Sequence, residues 1–73
     1  MIYADDIRRT ILSIAEEHGD NSFDPSDVAR KMDHENWRGL IQQVNIVAEV
    51  LIREGKIIIE NSNGSLKYKK ISV

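Results

Sequence analysis

The stretch from Trp37 to Gly55, WRGLIQQVNIVAEVLIREG, constrains the fold of this chain more than any other. Apolar residues recur at Trp37, Leu40, Ile41, Val44, Val47, Ala48 and Leu51, the spacing of a helix with one buried face. Gly55, after Arg53 and Glu54, suits the left-handed position that ends a helix. A β-branched run, Lys56-Ile57-Ile58-Ile59-Glu60, follows at once, then Asn61-Ser62-Asn63-Gly64-Ser65, then Leu66 to Ile71. Asn-Gly between two strand-like runs signals a hairpin. A two-residue turn at Asn63-Gly64 sets the register: Glu60 opposes Lys67, Ile59 opposes Tyr68 and Ile57 opposes Lys70. Ile57, Ile59, Leu66 and Tyr68 then share a face expected to lie toward the helices, and Lys67 and Lys69 point away.

Upstream, Ile7, Ile11, Ile14 and Ala15 share one face of a helix expected from about Ala4 to His18, with Leu12 at its edge. Asp5 and Asp6 occupy its first turn, His18 its last, and Gly19 closes it. Phe23-Asp24-Pro25-Ser26-Asp27 is a helix-start signal, with Asp24 at N-cap, Pro25 at N1 and Asp27 at N3. Phe23 is placed to staple onto Val28 or Ala29. The second helix is short and buries Val28, Ala29 and Met32. Asp33 is the expected N-cap of the third. With 73 residues the chain is one domain, residues 1–73.

Three helices and a hairpin, in that order, give the fold class: α+β, a winged helix-turn-helix with a two-stranded wing and a short strand near Phe23. The pattern resembles a family of short, stand-alone bacterial winged-helix proteins of unknown function. Phe23-Asp24-Pro25-Ser26-Asp27-Val28-Ala29-Arg30, Trp37-Arg38, and Val44, Ala48, Leu51, Gly55 and Ile57 carry the resemblance, over roughly residues 7–71. This chain departs from it where members often have arginine at the position of Asn45 and a Gly-Pro before the last strand. The first departure removes a candidate phosphate contact, and the second alters the wing. The resemblance implies a fold and leaves function open.

The chain has no cysteine, hence no disulfide and no thiolate metal site. It shows no signal peptide and no membrane-length apolar run, so a cytoplasmic location is expected. His18 and His34 are far apart, and Asp33-His34-Glu35 lacks a second cluster to complete a metal site. No serine has a histidine placed to activate it, and there is no glycine-rich phosphate loop. Neither an enzyme nor a cofactor is expected.

A binding surface remains. The formal charge is -2, unevenly distributed: residues 1–36 carry nine acids and four bases, residues 37–73 three acids and six bases. Such asymmetry can orient a small protein on a polyanion, and it also arises by chance on a soluble surface. If the third helix enters a major groove, Gln42, Gln43 and Asn45 can read adenine, while Arg38 reads guanine or holds phosphate. Lys67, Lys69 and Lys70 of the wing can hold phosphates. The leading expectation is therefore a DNA-binding domain, a small transcriptional regulator. The plain alternative is that these amides and lysines are ordinary exposed residues.

Ile46 and Glu49 fit a DNA-reading face poorly. They motivate a rival expectation, a protein-interaction module with a partner or self-association through Ile46 and no nucleic-acid role. Val50 is expected to lie beneath the hairpin. Trp37 is expected to be the keystone between the second and third helices, so that Trp37→Ala costs roughly 3–5 kcal/mol.

Overall fold

The computed structural model describes residues 4–62 and 64–71. Helix α1 spans Ala4–His18 and α2 Pro25–Met32; a 3-10 turn, Trp37–Leu40, leads into α3, Ile41–Arg53; strands β1, Ile57–Ser62, and β2, Ser65–Lys70, form an antiparallel pair. The result is an α+β arrangement consistent with a winged helix. No helix among the described residues is long and apolar enough to cross a membrane.

Each element begins and ends where its local chemistry dictates. Gly19 takes φ 60° after α1, and its amide bonds the Ala15 carbonyl at 3.0 Å. Asp24 opens α2 from an extended conformation, and the Asp27 carboxylate reaches back to the Asp24 amide at 3.1 Å. Two bonds close α3: Gly55 N–H to the Ile52 carbonyl at 3.0 Å and Lys56 N–H to the Leu51 carbonyl at 2.9 Å. With Gly55 at φ 77° they form a Schellman motif, which turns the chain directly into β1.

The third helix does not run unbroken from Trp37. Asp33 accepts bonds from the Glu35 and Asn36 amides at 3.2 and 3.1 Å, so it caps the turn ahead of the helix. The Gly39 amide bonds the Asn36 carbonyl at 3.1 Å, a tighter three-residue spacing. Gly39 in this first turn weakens any preference for the α form.

The hairpin register is the expected one: Ile57 faces Lys70, Ile59 faces Tyr68 and Glu60 faces Lys67. Gly64 takes φ 78° at the tip; Asn63, the other turn residue, lies outside the described residues. Phe23 supplies the short extra strand as a single bridge to Tyr68, with bonds of 2.8 and 2.9 Å in the two directions.

The core is one cluster, joining Ile7, Ile11, Ile14 and Ala15 of α1, Val28 and Ala29 of α2, and Val44, Ala48 and Leu51 of α3 to Phe23, Ile57 and Tyr68. Its largest buried side chains are Tyr68 and Phe23, with ring centroids 6.2 Å apart. His18 packs its ring 5.7 Å from Phe23.

Three expectations about packing are corrected. Trp37 is not among the buried core residues: it opens the 3-10 turn, packs half-buried against the core's edge, and carries Arg30 at 4.4 Å and Arg38 at 5.1 Å from its ring centroid. Val50 is 42% exposed rather than covered. The hairpin meets α3 on the Asn45 side, about 140° around the helix from Val50. Ile59 and Leu66, on the helix-facing side of the hairpin, remain 44% and 39% exposed. Among the described side chains of that face, Ile57 and Tyr68 are the buried ones.

Candidate functional site

The exposed side of α3 follows from its buried side. With Val44, Ala48 and Leu51 turned inward, Gln42, Gln43, Ile46, Glu49, Val50 and Arg53 face outward. Ile46 sits at the middle of this face and, at 56%, is the most exposed large apolar residue described.

Two depressions flank it. On the hairpin side a groove of about 220 Å³ is lined by Gln42, Asn45, Ile46, Glu49, Ile59, Leu66 and Tyr68. On the α1 side a depression of about 210 Å³ is lined by Ala4, Ile7, Gln43, Ile46 and Val47. Neither lining contains a cation, and Glu49 is the one charged residue in the first. Tyr68 closes the floor of the hairpin-side groove, its hydroxyl donating to the Asn45 Oδ1 at 2.8 Å. Burial raises the tyrosine's pKa above its ordinary value, and Glu49 adds to the shift in the same direction.

The sequence-predicted contact residues are spread over separate surfaces. Gln42 and Asn45 share the hairpin-side groove, and Gln43 lies in the depression toward α1. Asn45 is half-buried and its carbonyl oxygen is already taken by Tyr68, which leaves it poorly placed to read a base edge. Arg38 is exposed over Trp37, beside a concavity of about 510 Å³ lined by Glu35, Asn36, Trp37, Arg38 and Gly39. Lys67 and Lys69 lie on the outer face of the hairpin and make no ion pair within the described structure. Lys70 lies on the opposite face and pairs with Glu16 of α1 at 3.0 Å, which holds it away from Lys67 and Lys69.

Several participants escaped sequence reasoning. The Tyr68–Asn45 bond joins residues 23 apart, and Arg30 reaches Trp37 across a turn; neither contact has a local signal. Alternation placed Ile59 and Leu66 on the inner face, but not how far the hairpin overhangs the helices. No group of three or more His, Cys, Asp or Glu among the described residues is arranged to hold a metal ion.

The family model that matches this chain, over residues 4–70, is described as protein of unknown function (DUF3253). No curated protein and no solved structure matches the chain.

Proposed function

The chain belongs to the DUF3253 family, a family of unknown function, and we propose from its surface that it is a protein-interaction module on a winged-helix scaffold. The working surface is the exposed face of α3 with the adjoining inner side of the hairpin.

One observation carries this reading. The helix that would enter a DNA groove presents an isoleucine at its centre, and the groove beside it has Glu49 and no cation. A polyanion is repelled by such a lining, whereas Ile46, Ile59 and Leu66 together form an apolar surface that a protein can cover. Photo-cross-linking in the native cell tests it. A reactive group at position 46 is expected to give a discrete protein adduct, and one at position 67 is not. Nucleic-acid adducts from positions 42 and 67 overturn the reading.

A second reading, DNA binding, is favoured by the free cations. Arg30 and Arg38 rest on Trp37, and Lys67 and Lys69 stand without ion pairs in the described structure. On that reading Arg38, Lys67 and Lys69 hold phosphates, while Gln42 and Gln43 meet bases. Affinity then falls with salt at a log–log slope of about -0.9 per contact, and replacing Lys67 and Lys69 by alanine flattens it by up to about two units. Duplex DNA titrated at low salt separates the readings. Joint shifts of the Arg38, Gln42, Lys67 and Lys69 amides that revert with salt establish DNA binding; their absence at submillimolar protein leaves the interaction module.

A further inference from the structure

We propose that the partner of this face is a second copy of the chain, with the two α3 helices packed antiparallel about a two-fold axis at Ile46. The inference rests on the interaction reading above and names its partner.

The positions around α3 carry it. Taking the outward direction of Ile46 as zero, 100° per residue places Gln42 and Glu49 about 40° and 60° to one side. It places Val50 and Gln43 about 40° and 60° to the other. The linings agree: Gln42 and Glu49 border the hairpin-side groove, and Gln43 borders the α1-side depression.

A two-fold axis perpendicular to the helix keeps each flank on its own side and reverses the chain direction. Ile46 then meets the partner's Ile46. Gln42, one turn before it, meets the partner's Glu49, nearly one turn after it. Gln43 meets the partner's Val50. Each of these four flanking groups finds a neighbour; Arg53, two turns beyond Ile46 on the same face, lies outside these pairs. Glu49 has no hydrogen bond or ion pair in the described structure, and the Gln42 amide is a donor. Val50, 42% exposed, is covered by the methylenes of glutamine. Both hairpins fall on the same side of the helix pair, so Ile59 and Leu66 of each copy extend the apolar area toward the axis.

The parallel alternative fails on the same residues. An axis along the helices sets Glu49 against the partner's Val50 and Gln42 against the partner's Gln43. A carboxylate is then desolvated against an aliphatic side chain with no donor opposite. The apolar centre is one isoleucine per copy, so the association is weak, in the high-micromolar range.

Sedimentation equilibrium from micromolar to millimolar concentration tests the proposal, with circular dichroism to establish that each variant is folded. The wild type is expected to dimerise and Ile46→Asp to remain monomeric. Gln42→Lys, which adds a cation opposite the partner's Glu49, should tighten the dimer about two- to five-fold. Gln42→Glu should loosen it by a similar factor, and Glu49→Lys in that background should restore it. Gln43→Lys should change little. A response to Gln43 rather than Gln42 overturns the antiparallel arrangement, and this comparison stands even if Ile46→Asp fails to fold. A wild type that stays monomeric at millimolar concentration overturns the second copy as partner. If position 46 still cross-links to a different protein, the interaction module survives and only the self-pairing falls.

Discussion

Phe23 and Trp37 divide the roles that size alone would assign to the tryptophan. Phe23 is 2% exposed and takes part in three structures at once: the core cluster, the bridge to Tyr68 and the ring contact with His18. Phe23→Ala should therefore cost roughly 3–5 kcal/mol, most of what a domain of this size has. Trp37 is half-buried and shares its ring with two guanidiniums, so Trp37→Ala should cost only about 1–2 kcal/mol. Chemical denaturation compares them: the Phe23 variant should lose its cooperative transition and the Trp37 variant should keep it. Tyr68 supplies a titration. Its raised pKa means that the folded state holds the neutral phenol, so stability is fully present below the ordinary tyrosine value and is lost as pH rises through the folded one. Tyr68→Phe should remove this alkaline sensitivity while costing about 1 kcal/mol for the lost bond to Asn45. Thermal melts across alkaline pH check both.

At the scale of the element, short helices depend on their ends. Helix α2 has only 8 residues, too few to be stable without a cap and tertiary packing. Asp27→Ala frees the Asp24 amide from its carboxylate and should destabilise by about 1 kcal/mol, with Asp27→Glu costing less. Gly55 acts at the other end of the helical region. Its φ of 77° is costly for any residue with a β-carbon, although the space around it is open. Gly55→Ala should therefore cost about 1 kcal/mol through backbone strain alone. Amide exchange should localise this loss to the last turn of α3 and the start of β1, because the Lys56–Leu51 bond fixes where the strand begins.

Over the whole molecule, long-range ion pairs tie α1 to the elements around it. Arg8 reaches Glu54 at the end of α3 at 2.6 Å, Glu17 takes Lys31 of α2 at 2.8 Å and Glu16 takes Lys70 of β2 at 3.0 Å. Hydrogen bonds from Arg8 and Lys31 hold the Glu54 and Glu17 carboxyls below the ordinary carboxylate range. A depressed carboxylate stabilises the fold above its unfolded pKa, and that stability is lost as pH falls through the folded value. The pairs are solvent-exposed and screened, so each contributes little. The expected signature is a difference in melting temperature between wild type and Arg8→Ala that is present at neutral pH and vanishes in acid or high salt. The exposed α3 face itself carries one acid, Glu49, and one base, Arg53, so its net charge is close to zero and gives a polyanion little to attract it.

Local chemistry by itself determined the bounds of α1 and α2, the end of α3 and the hairpin register, but not the start of α3 at Ile41 behind the 3-10 turn Trp37–Leu40. Gly19, Gly55 and Gly64 take positive φ values that few other residues accept, Asp24-Pro25 suits a helix start, and such signals act within four or five residues of themselves. Periodicity likewise determined which residues of α1 and α3 face the core. The tertiary structure alone decided how the elements meet. Helical spacing says that Trp37 shares the apolar stripe, but not that Arg30 of α2 reaches its ring. Alternation says that Ile59 shares a face with Tyr68, but not that the hairpin overhangs α3 and leaves Ile59 and Leu66 open. Whether the hairpin lies over Val50 or beside Asn45 depends on the angle at which a two-stranded ribbon leaves the Schellman turn. That angle is set by Phe23 and Tyr68 packing together from positions 45 residues apart. The candidate site lies on that junction: its helix residues were legible in the sequence, and its second wall was not.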